Sequence, residues 1–282
     1  MAGPETERPS VLIVGGFATS PPNYWPMRGR LLRRAVERVD IAPIWAPDSA
    51  IAALLGFGPM MRRTARAIAR TYVAGGRRPI IVVAHSGGGI AARLAMSDVV
   101  FHGRRAGVAD AVGCLVTLGT PHRLADLDSR YHHAGHEAAA FLGQHSPGAF
   151  YAPRTSYLSV GSRRPLTRPA GPLGRAVLEF FELVVGGAST QATGDGIVST
   201  AASQLEGAEG LILDDVLHGH IGSPWYGDDH VIERWWPAAE RLWRAALVER
   251  GIAAGWGGAG QDRPEALDFA VAGWSSGSSS GS

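Results

Sequence analysis

Ser86 is the residue of this sequence whose surroundings most directly suggest a chemical role. It follows the apolar run "IIVVAH" and precedes three glycines that open a helix-patterned stretch, "GGGIAARLAMS". A sharp turn between a strand and a helix lifts a hydroxyl clear of the backbone and places it beside the unpaired N–H groups of the helix N-terminus. Those groups can stabilise a developing oxyanion. The stretch therefore favours a serine nucleophile, which needs a base and an orienting carboxylate from elsewhere in the chain.

Small residues on either side of Ser86 fit such a turn. Ala84 and Gly88 stand two residues before and after it, where larger side chains would crowd the backbone. The alternative is a glycine-rich turn that binds a phosphate or a dinucleotide. The three glycines lack the G-x-G-x-x-G spacing, and no P-loop lysine is available because all 27 Lys/Arg positions are arginine. The nucleophile is therefore the stronger interpretation.

Short apolar runs and helix-patterned stretches alternate along the chain and must position this serine. Strands are predicted over residues 10–16, 39–47, 79–85, 112–119, 156–162 and 210–216. Helices are predicted over residues 24–39, 60–76, 88–97 and 228–251, the last with a break near Trp236 at its proline. This alternation predicts an α/β fold with a mostly parallel central sheet and helices on both faces. Functional side chains should gather at the carboxyl ends of the strands.

With these elements placed, the chain resembles the α/β-hydrolase family, in particular its lipase- and esterase-like members, over roughly residues 11–243. Ala84–Gly88 resembles the nucleophile elbow of the family, with alanine in place of the first glycine. The stretch "VLIVGGFATSP" resembles the strand that ends in the oxyanion loop, with Gly15 where histidine is common, and "VTLGTPHR" resembles a strand end of lipase-like members. The resemblance implies that the backbone N–H groups of Phe17 and Gly87 form the oxyanion hole.

The same resemblance implies the two partners of Ser86. The stretch "TGDGIVS" resembles the acid loop of the family and makes Asp195 the acid, with an Asx turn or a helix cap as its alternative role. The stretch "LHGHIGS" fits the pattern His-x-x-(Leu/Ile)-Gly after the last strand, which favours His218 as the base and leaves His220 as the alternative. The resulting chain order of nucleophile, acid and base agrees with that of the family.

Several aromatic residues and histidines near the inferred strand ends are candidates for a substrate pocket. The residues assigned to the pocket are His85, His122, Trp225 and Tyr226, with Phe17, Trp25, Phe141 and Phe150 as further aromatic candidates. Local packing beside the nucleophile is the alternative role for His85. An apolar ester is therefore the expected small-molecule substrate.

Five histidines lie in a long stretch that interrupts the alternation of strands and helices. They are His122, His132, His133, His136 and His145. Their spacing makes no closed set of ligands, so neither a metal nor another cofactor is expected. We predict instead that a lid or cap is inserted at about residues 121–155 of a hydrolase domain over 10–252, between a flexible N-terminus at 1–9 and a Gly/Ser-rich disordered tail at 253–282.

Composition excludes some partners. The formal net charge is +2 and the arginines are scattered along the chain, which argues against nucleic acid as a partner. The first residues do not resemble a signal peptide, and no run approaches the ~18 apolar residues of a membrane span. A cytoplasmic enzyme without stable membrane insertion is expected, and the oligomeric state stays open.

Together these features predict a serine hydrolase that cleaves carboxylic esters through an acyl-enzyme intermediate. An acyltransferase or a thioesterase with the same three residues is the first alternative. A non-catalytic ligand-binding protein on the same fold is the second.

Overall fold

A mostly parallel sheet forms the centre of the computed structural model, which describes residues 7–123, 134–165, 193–219 and 223–252. The strands of these ranges are β1 (Ser10–Val14), β2 (Arg38–Ile41), β3 (Ile80–His85), β4 (Val112–Leu118), β5 (Ser156–Pro165), β6 (Thr193–Gly194) and β7 (Glu209–Asp214). Their order is β2-β1-β3-β4-β5-β7, and each neighbouring pair in this order is parallel. The short β6 pairs with the end of β5 in the antiparallel direction.

Helices cover both faces of the sheet. Within the described ranges they are α1 (Trp25–Leu32), α2 (Ala46–Leu55), α3 (Gly58–Ala74), α4 (Gly87–Met96), α5 (Ala134–His145) and α6 (Asp229–Glu249). Buried residues of α2, α3, α4 and α5 belong to one hydrophobic core, and those of α1 and α6 belong to a second one. The predicted α/β architecture with helices on both faces is thus confirmed.

Successive residues of the central strands belong alternately to the two cores. In β1, Leu12 and Val14 belong to the core under α2–α5, whereas Val11 and Ile13 belong to the core under α1 and α6. Successive side chains of a strand point to opposite faces, so a strand covered on both sides must be apolar throughout. This is why the central strands are continuous apolar runs in the sequence.

The first predicted helix was too long. The sequence pattern extended it from residue 24 to 39, but α1 ends at Leu32 and the chain then turns into β2. Val36, in this turn, and Val39, in β2, lie within the predicted helix range, and both are buried in the core under α1 and α6. The apolar residues at this spacing are buried without forming a helix. The spacing alone could not distinguish one long helix from a helix followed by a turn and a strand.

The predicted break in the last helix is also wrong. Helix α6 runs without interruption through Pro237. A proline inside a helix removes one hydrogen bond and clashes with the preceding turn, at a cost of about 3 kcal/mol. Trp235, Trp236 and Trp243 are all buried on this helix, and a fully buried large apolar side chain contributes roughly 1.5–3 kcal/mol. Their combined burial outweighs the cost of the proline.

The predicted cap lies partly outside the described residues, which lack 124–133 and therefore His132 and His133. The part that is described, α5, contributes Ala138 and Leu142 to the core under α2–α5. The cap stays a prediction, as does the disordered tail at 253–282, which also lies outside the described residues. Of the predicted flexible N-terminus, Glu7 is described and forms an ion pair with Arg78.

Candidate active site

Ser86 lies on the turn between β3 and α4. Its backbone has φ 54° and ψ −132°, which is a strained conformation for a residue with a side chain. Its N–H donates to the carbonyl of Leu118 at 2.9 Å, and its carbonyl accepts from the N–H of Gly89 at 3.0 Å and from Thr120 Oγ1 at 2.9 Å. These three hydrogen bonds hold the serine in this strained conformation, at the sharp turn that the sequence predicted.

Two glycines allow the loop after β1 to approach this turn. A Cβ atom on Gly88 would lie 2.6 Å from the carbonyl oxygens of Val14 and Gly15. A Cβ atom on Gly16 would lie 2.6 Å from the Cβ atom of Ser86. Only glycine fits at both positions, so the close approach of the two loops explains both of these residues.

Relief of the strain at Ser86 gives a prediction about stability. The free energy of unfolding of Ser86→Gly is expected to be about 1 kcal/mol higher than that of Ser86→Ala. Glycine adopts positive φ without strain, and this gain exceeds the entropic cost of ordering a glycine. Urea titrations of both variants measure the difference. Ser146, which is buried and has no positive φ, is the matched control, and there the alanine variant should be the more stable. A Ser86→Gly variant less stable than Ser86→Ala would contradict the strain.

Asp195 and His218 converge on Ser86 from two other loops. Asp195 follows β6 and His218 follows β7. His218 Nε2 lies 2.9 Å from Ser86 Oγ, and His218 Nδ1 lies 2.8 Å from Asp195 Oδ2. The main chains are tied as well, since the N–H of His218 donates to the carbonyl of Asp195 at 2.8 Å. All three side chains are buried.

Four donors surround the carboxylate of Asp195. Oδ1 accepts from the N–H groups of Ile197 at 3.1 Å and Val198 at 2.8 Å, and Oδ2 accepts from His218 Nδ1 and from the hydroxyl of Tyr226 at 3.0 Å. The bond to Ile197 is an Asx turn, so the alternative role considered for Asp195 coexists with its contact to His218. Burial by itself raises the pKa of Asp195, but the charge of His218 and the hydrogen bonds from His218, Val198 and Ile197 outweigh it and leave the pKa below 3.8.

The ionised carboxylate determines which nitrogen of His218 carries the proton. A carboxylate only accepts hydrogen bonds, so Nδ1 of His218 must donate to Asp195. In the neutral ring Nε2 then carries a lone pair directed at Ser86 Oγ, 2.9 Å away. This arrangement can remove the proton of the serine hydroxyl during an attack on a carbonyl carbon.

The two residues that carry the predicted oxyanion donors contact each other through the side chain of Phe17. A Cβ atom on Gly87 would lie 2.5 Å from the ring of Phe17, which itself packs edge-on against Phe57 at a centroid distance of 5.2 Å. Within the part of the chain that the structure describes, the N–H groups of Phe17 and Gly87 have no hydrogen-bond acceptor. The assignment of these two N–H groups to an oxyanion hole stays a prediction.

Three of the four residues assigned to the pocket lie on the core side of Asp195 and His218. His85 is hydrogen-bonded to the hydroxyl of Tyr24 and to the carbonyl of His218, both at 2.8 Å. Trp225 and Tyr226 are buried in the core under α1 and α6. Tyr226 therefore contacts Asp195 instead of forming an open pocket wall, and burial followed by the nearby Asp195 charge raises its pKa well above 10.

The remaining candidates are scattered. His122 Nε2 lies 3.0 Å from Thr117 Oγ1, and burial together with the charge of Arg93 lowers the pKa of His122 well below 6.5. Trp25 is 64% exposed and Phe150 is 50% exposed, whereas Phe141 packs against the core under α2–α5. His220 lies outside the described residues.

The described part of the chain gives no support for a metal site. Among the described residues, no group of three or more histidine, cysteine, aspartate or glutamate side chains could hold a metal ion. Two of the five histidines of the predicted cap lie outside those residues, so the absence of a metal stays a prediction.

Sequence reasoning missed two residues next to the site, Gly119 and Thr120. Gly119 has φ 55°, and a Cβ atom there would lie 3.1 Å from His218 Nδ1 and 3.0 Å from the ring of Tyr226. Thr120 holds the carbonyl of Ser86. Both stand directly after β4, where the topology of parallel sheets concentrates functional residues, and this position was the available signal.

The arrangement of the sheet, the turn at Ser86 and the loops after β6 and β7 define the α/β-hydrolase fold. Lipase BlEst2 of Bacillus licheniformis in its mature form is similar, with a TM-score of 0.53 and 18% identity over 82% of this chain and 92% of that chain. Phospholipase PlaB of Legionella pneumophila in complex with thio-NAD is similar with a TM-score of 0.53 and 13% identity, over 93% of this chain and 61% of that chain.

Sequence comparison adds nothing to this likeness. No family model matches the chain, and no curated protein matches its sequence. Because the two solved structures are only 18% and 13% identical to this chain, the likeness shows the fold alone. Among the described residues no helix has both the length and the apolar character that crossing a bilayer requires.

Proposed function

We propose that the protein is a serine hydrolase that cleaves carboxylic esters, with Ser86 as nucleophile, His218 as base and Asp195 as orienting acid. The observation that carries the proposal is one continuous chain of contacts, from Ser86 Oγ to His218 Nε2 at 2.9 Å and from His218 Nδ1 to Asp195 Oδ2 at 2.8 Å. A serine hydroxyl becomes a useful nucleophile only next to such a base. The similar solved structures are a lipase and a phospholipase, which favours an ester as the bond that is cleaved.

The first half of the reaction forms an acyl-enzyme. Ser86 Oγ attacks the carbonyl carbon of the ester while its proton passes to His218 Nε2. Asp195 stabilises the imidazolium, and the N–H groups of Phe17 and Gly87 bind the oxyanion. Each such donor is expected to lower the barrier by about 3 kcal/mol. His218 then gives its proton to the leaving alcohol, and the carbon–oxygen bond to that alcohol breaks.

The second half releases the acid. His218 takes a proton from a water molecule, which attacks the carbonyl carbon of the acyl-enzyme. The bond to Ser86 Oγ breaks, and the proton returns from His218 to the serine. The cycle consumes one ester and one water and needs no cofactor. The apolar ring of Phe17, which lies beside Gly87 and packs against Phe57, favours an ester with an apolar group. We propose the cytoplasm as the place of action.

Labelling with a fluorophosphonate tests the nucleophile directly. The probe forms a covalent bond to a serine that a neighbouring base activates, so wild type should carry one adduct per chain on the peptide that contains Ser86. Ser86→Ala should carry none, and Ser146→Ala, which removes another buried hydroxyl, should be labelled like wild type. Folded wild type that takes up no label, or takes it up on a different serine, would contradict the proposal.

The products distinguish hydrolysis from acyl transfer. p-Nitrophenyl esters of graded chain length are incubated with wild type, with and without an excess of a primary alcohol. We expect the free acid as the main product in both cases and the highest kcat/KM with an apolar acyl chain. A new ester as the main product would identify an acyltransferase, and no turnover with any ester, combined with no labelling, would favour a ligand-binding protein.

The hydroxyl of Tyr226 gives a separate prediction. Tyr226→Phe is expected to lower kcat about 10- to 100-fold, because Oδ2 of Asp195 loses a hydrogen bond. A hydrogen bond to an ionised carboxylate contributes about 1.5–3 kcal/mol. Steady-state kinetics on one p-nitrophenyl ester measure the change. Tyr157→Phe is the matched control, since that hydroxyl is bonded to the N–H of Tyr151 and not to the site. Equal losses in the two variants would mean a general effect on packing.

A further inference from the structure

Two side chains hold the loop that carries Phe17 and have no part in the reaction described above. The hydroxyl of Thr19 donates to the carbonyl of Gly16 at 2.7 Å. The hydroxyl of Tyr24 accepts from the N–H of Gly16 at 3.0 Å. Both polar groups of Gly16 are thus bonded to side chains of the same loop.

The bond from Thr19 determines the direction of the N–H of Phe17. The carbonyl of Gly16 and the N–H of Phe17 belong to one planar trans peptide, in which they point in opposite directions. Fixing the carbonyl therefore fixes the N–H. A peptide group whose carbonyl accepts a hydrogen bond is also polarised, and this strengthens the hydrogen bond that its N–H donates.

The hydroxyl of Tyr24 is in turn oriented by His85. Nε2 of His85 lies 2.8 Å from the carbonyl of His218, and because a carbonyl only accepts, this nitrogen must carry the proton. In the neutral form of this ring Nδ1 is then an acceptor, and the hydroxyl of Tyr24 donates to it across 2.8 Å. The oxygen of Tyr24 stays open to the N–H of Gly16. One chain of hydrogen bonds therefore runs from the loop of Phe17 to the main chain of His218.

We propose that Thr19 and Tyr24 are positioning residues that orient the Gly16–Phe17 peptide, so that its N–H meets the oxyanion formed on Ser86. His85 anchors Tyr24 to the backbone of His218, which keeps the oxyanion donor and the base in fixed positions relative to each other. Tyr24 and His85 are both almost fully buried, so solvent cannot replace the partner that the N–H of Gly16 loses in Tyr24→Phe. The proposal rests on the proposed function, because it assigns a task within that reaction.

A pair of substrates separates this role from a general structural one. An ester and its thionoester, in which sulfur replaces the carbonyl oxygen, differ in how strongly the developing anion accepts hydrogen bonds. Loss of an oriented donor therefore slows the ester more than the thionoester. Thr19→Val and Tyr24→Phe are expected to lower kcat for the ester at least about tenfold, with KM little changed and with a smaller loss on the thionoester. Thr19→Ser, which keeps the hydroxyl, should recover the wild-type ratio of the two rates.

The outcomes separate this inference from the function on which it rests. Equal fold-losses on the ester and the thionoester, or wild-type rates on both substrates in both variants, would overturn the positioning role while leaving ester hydrolysis intact. Wild type that neither cleaves the ester nor takes up the fluorophosphonate would overturn both. If Thr19→Val does not fold, as judged by its circular dichroism and thermal unfolding, Tyr24→Phe carries the same test, because it removes one oxygen from a ring that still packs.

Discussion

Ser86→Ala is expected to lower kcat for a p-nitrophenyl ester by on the order of 10⁵- to 10⁶-fold. The substitution removes the atom that forms the acyl-enzyme and leaves the rest of the site in place. His218 and the N–H groups of Phe17 and Gly87 stay, and they can still assist water at a rate well above that of the uncatalysed reaction. Steady-state kinetics with active-site titration of wild type measure the ratio.

The control for this prediction is another buried serine. Ser146→Ala removes a hydroxyl whose partner is Ser97 Oγ at 3.4 Å, away from the site, and should leave kcat unchanged. Circular dichroism and thermal unfolding establish that both variants fold. A Ser86→Ala variant that keeps more than a few per cent of the activity would mean that another group attacks the ester.

Asp195→Asn is expected to lower kcat about 10⁴-fold. Its carboxylate accepts from four donors, two on each oxygen. An asparagine must direct its NH₂ group at one of these pairs. If it faces His218, that ring must accept at Nδ1 and carry its proton on Nε2, where it can no longer take the proton of Ser86. If it faces Ile197 and Val198, the loop that holds the residue loses both of its hydrogen bonds.

Stability as a function of pH gives a second readout for Asp195. Its pKa in the folded protein lies below 3.8, so its contribution to the free energy of unfolding is present above about pH 4 and is lost as the pH falls through the folded value. The difference in unfolding free energy between wild type and Asp195→Asn should therefore shrink as the pH is lowered below 4. A constant difference would mean that the carboxylate is not held ionised by its neighbours.

The turn at Ser86 could be predicted because its requirements are local. An apolar strand, small residues at Ala84 and Gly88 and the start of a helix all lie within a dozen residues, and the backbone found there has φ 54°. The parallel sheet was predictable for the same kind of reason, since burial on both faces makes each strand apolar throughout. Helix limits were less predictable, as Val36 and Val39 show, because the same apolar spacing can be buried by a turn and a strand.

The pocket residues could not be assigned in this way. His85, Trp225 and Tyr226 were chosen because they lie near strand ends, but a loop has two sides and the sequence does not say which one faces the core. In the structure the rings of Trp225 and Tyr226 fill the core under α1 and α6, and His85 bonds to Tyr24 and to the carbonyl of His218. The contacts of His85 and Trp225 with Tyr24, and of Tyr226 with Asp195, join positions that are distant in the chain.

Properties carried by neighbouring residues were already decided in the amino-acid order: the alternating layers, the sharp turn at Ser86 and the small residues that flank it. Contacts across long stretches of chain needed the folded molecule. Ser86 and His218 are 132 residues apart and Tyr24 and His85 are 61 apart, yet each pair is within hydrogen-bonding distance. A hydrogen bond depends on the distance and direction of two atoms, and no periodic pattern in the sequence records either. For this reason Thr19 and Tyr24 became candidates, and Tyr226 became a partner of Asp195 instead of a pocket residue, only when the sheet had brought their loops together.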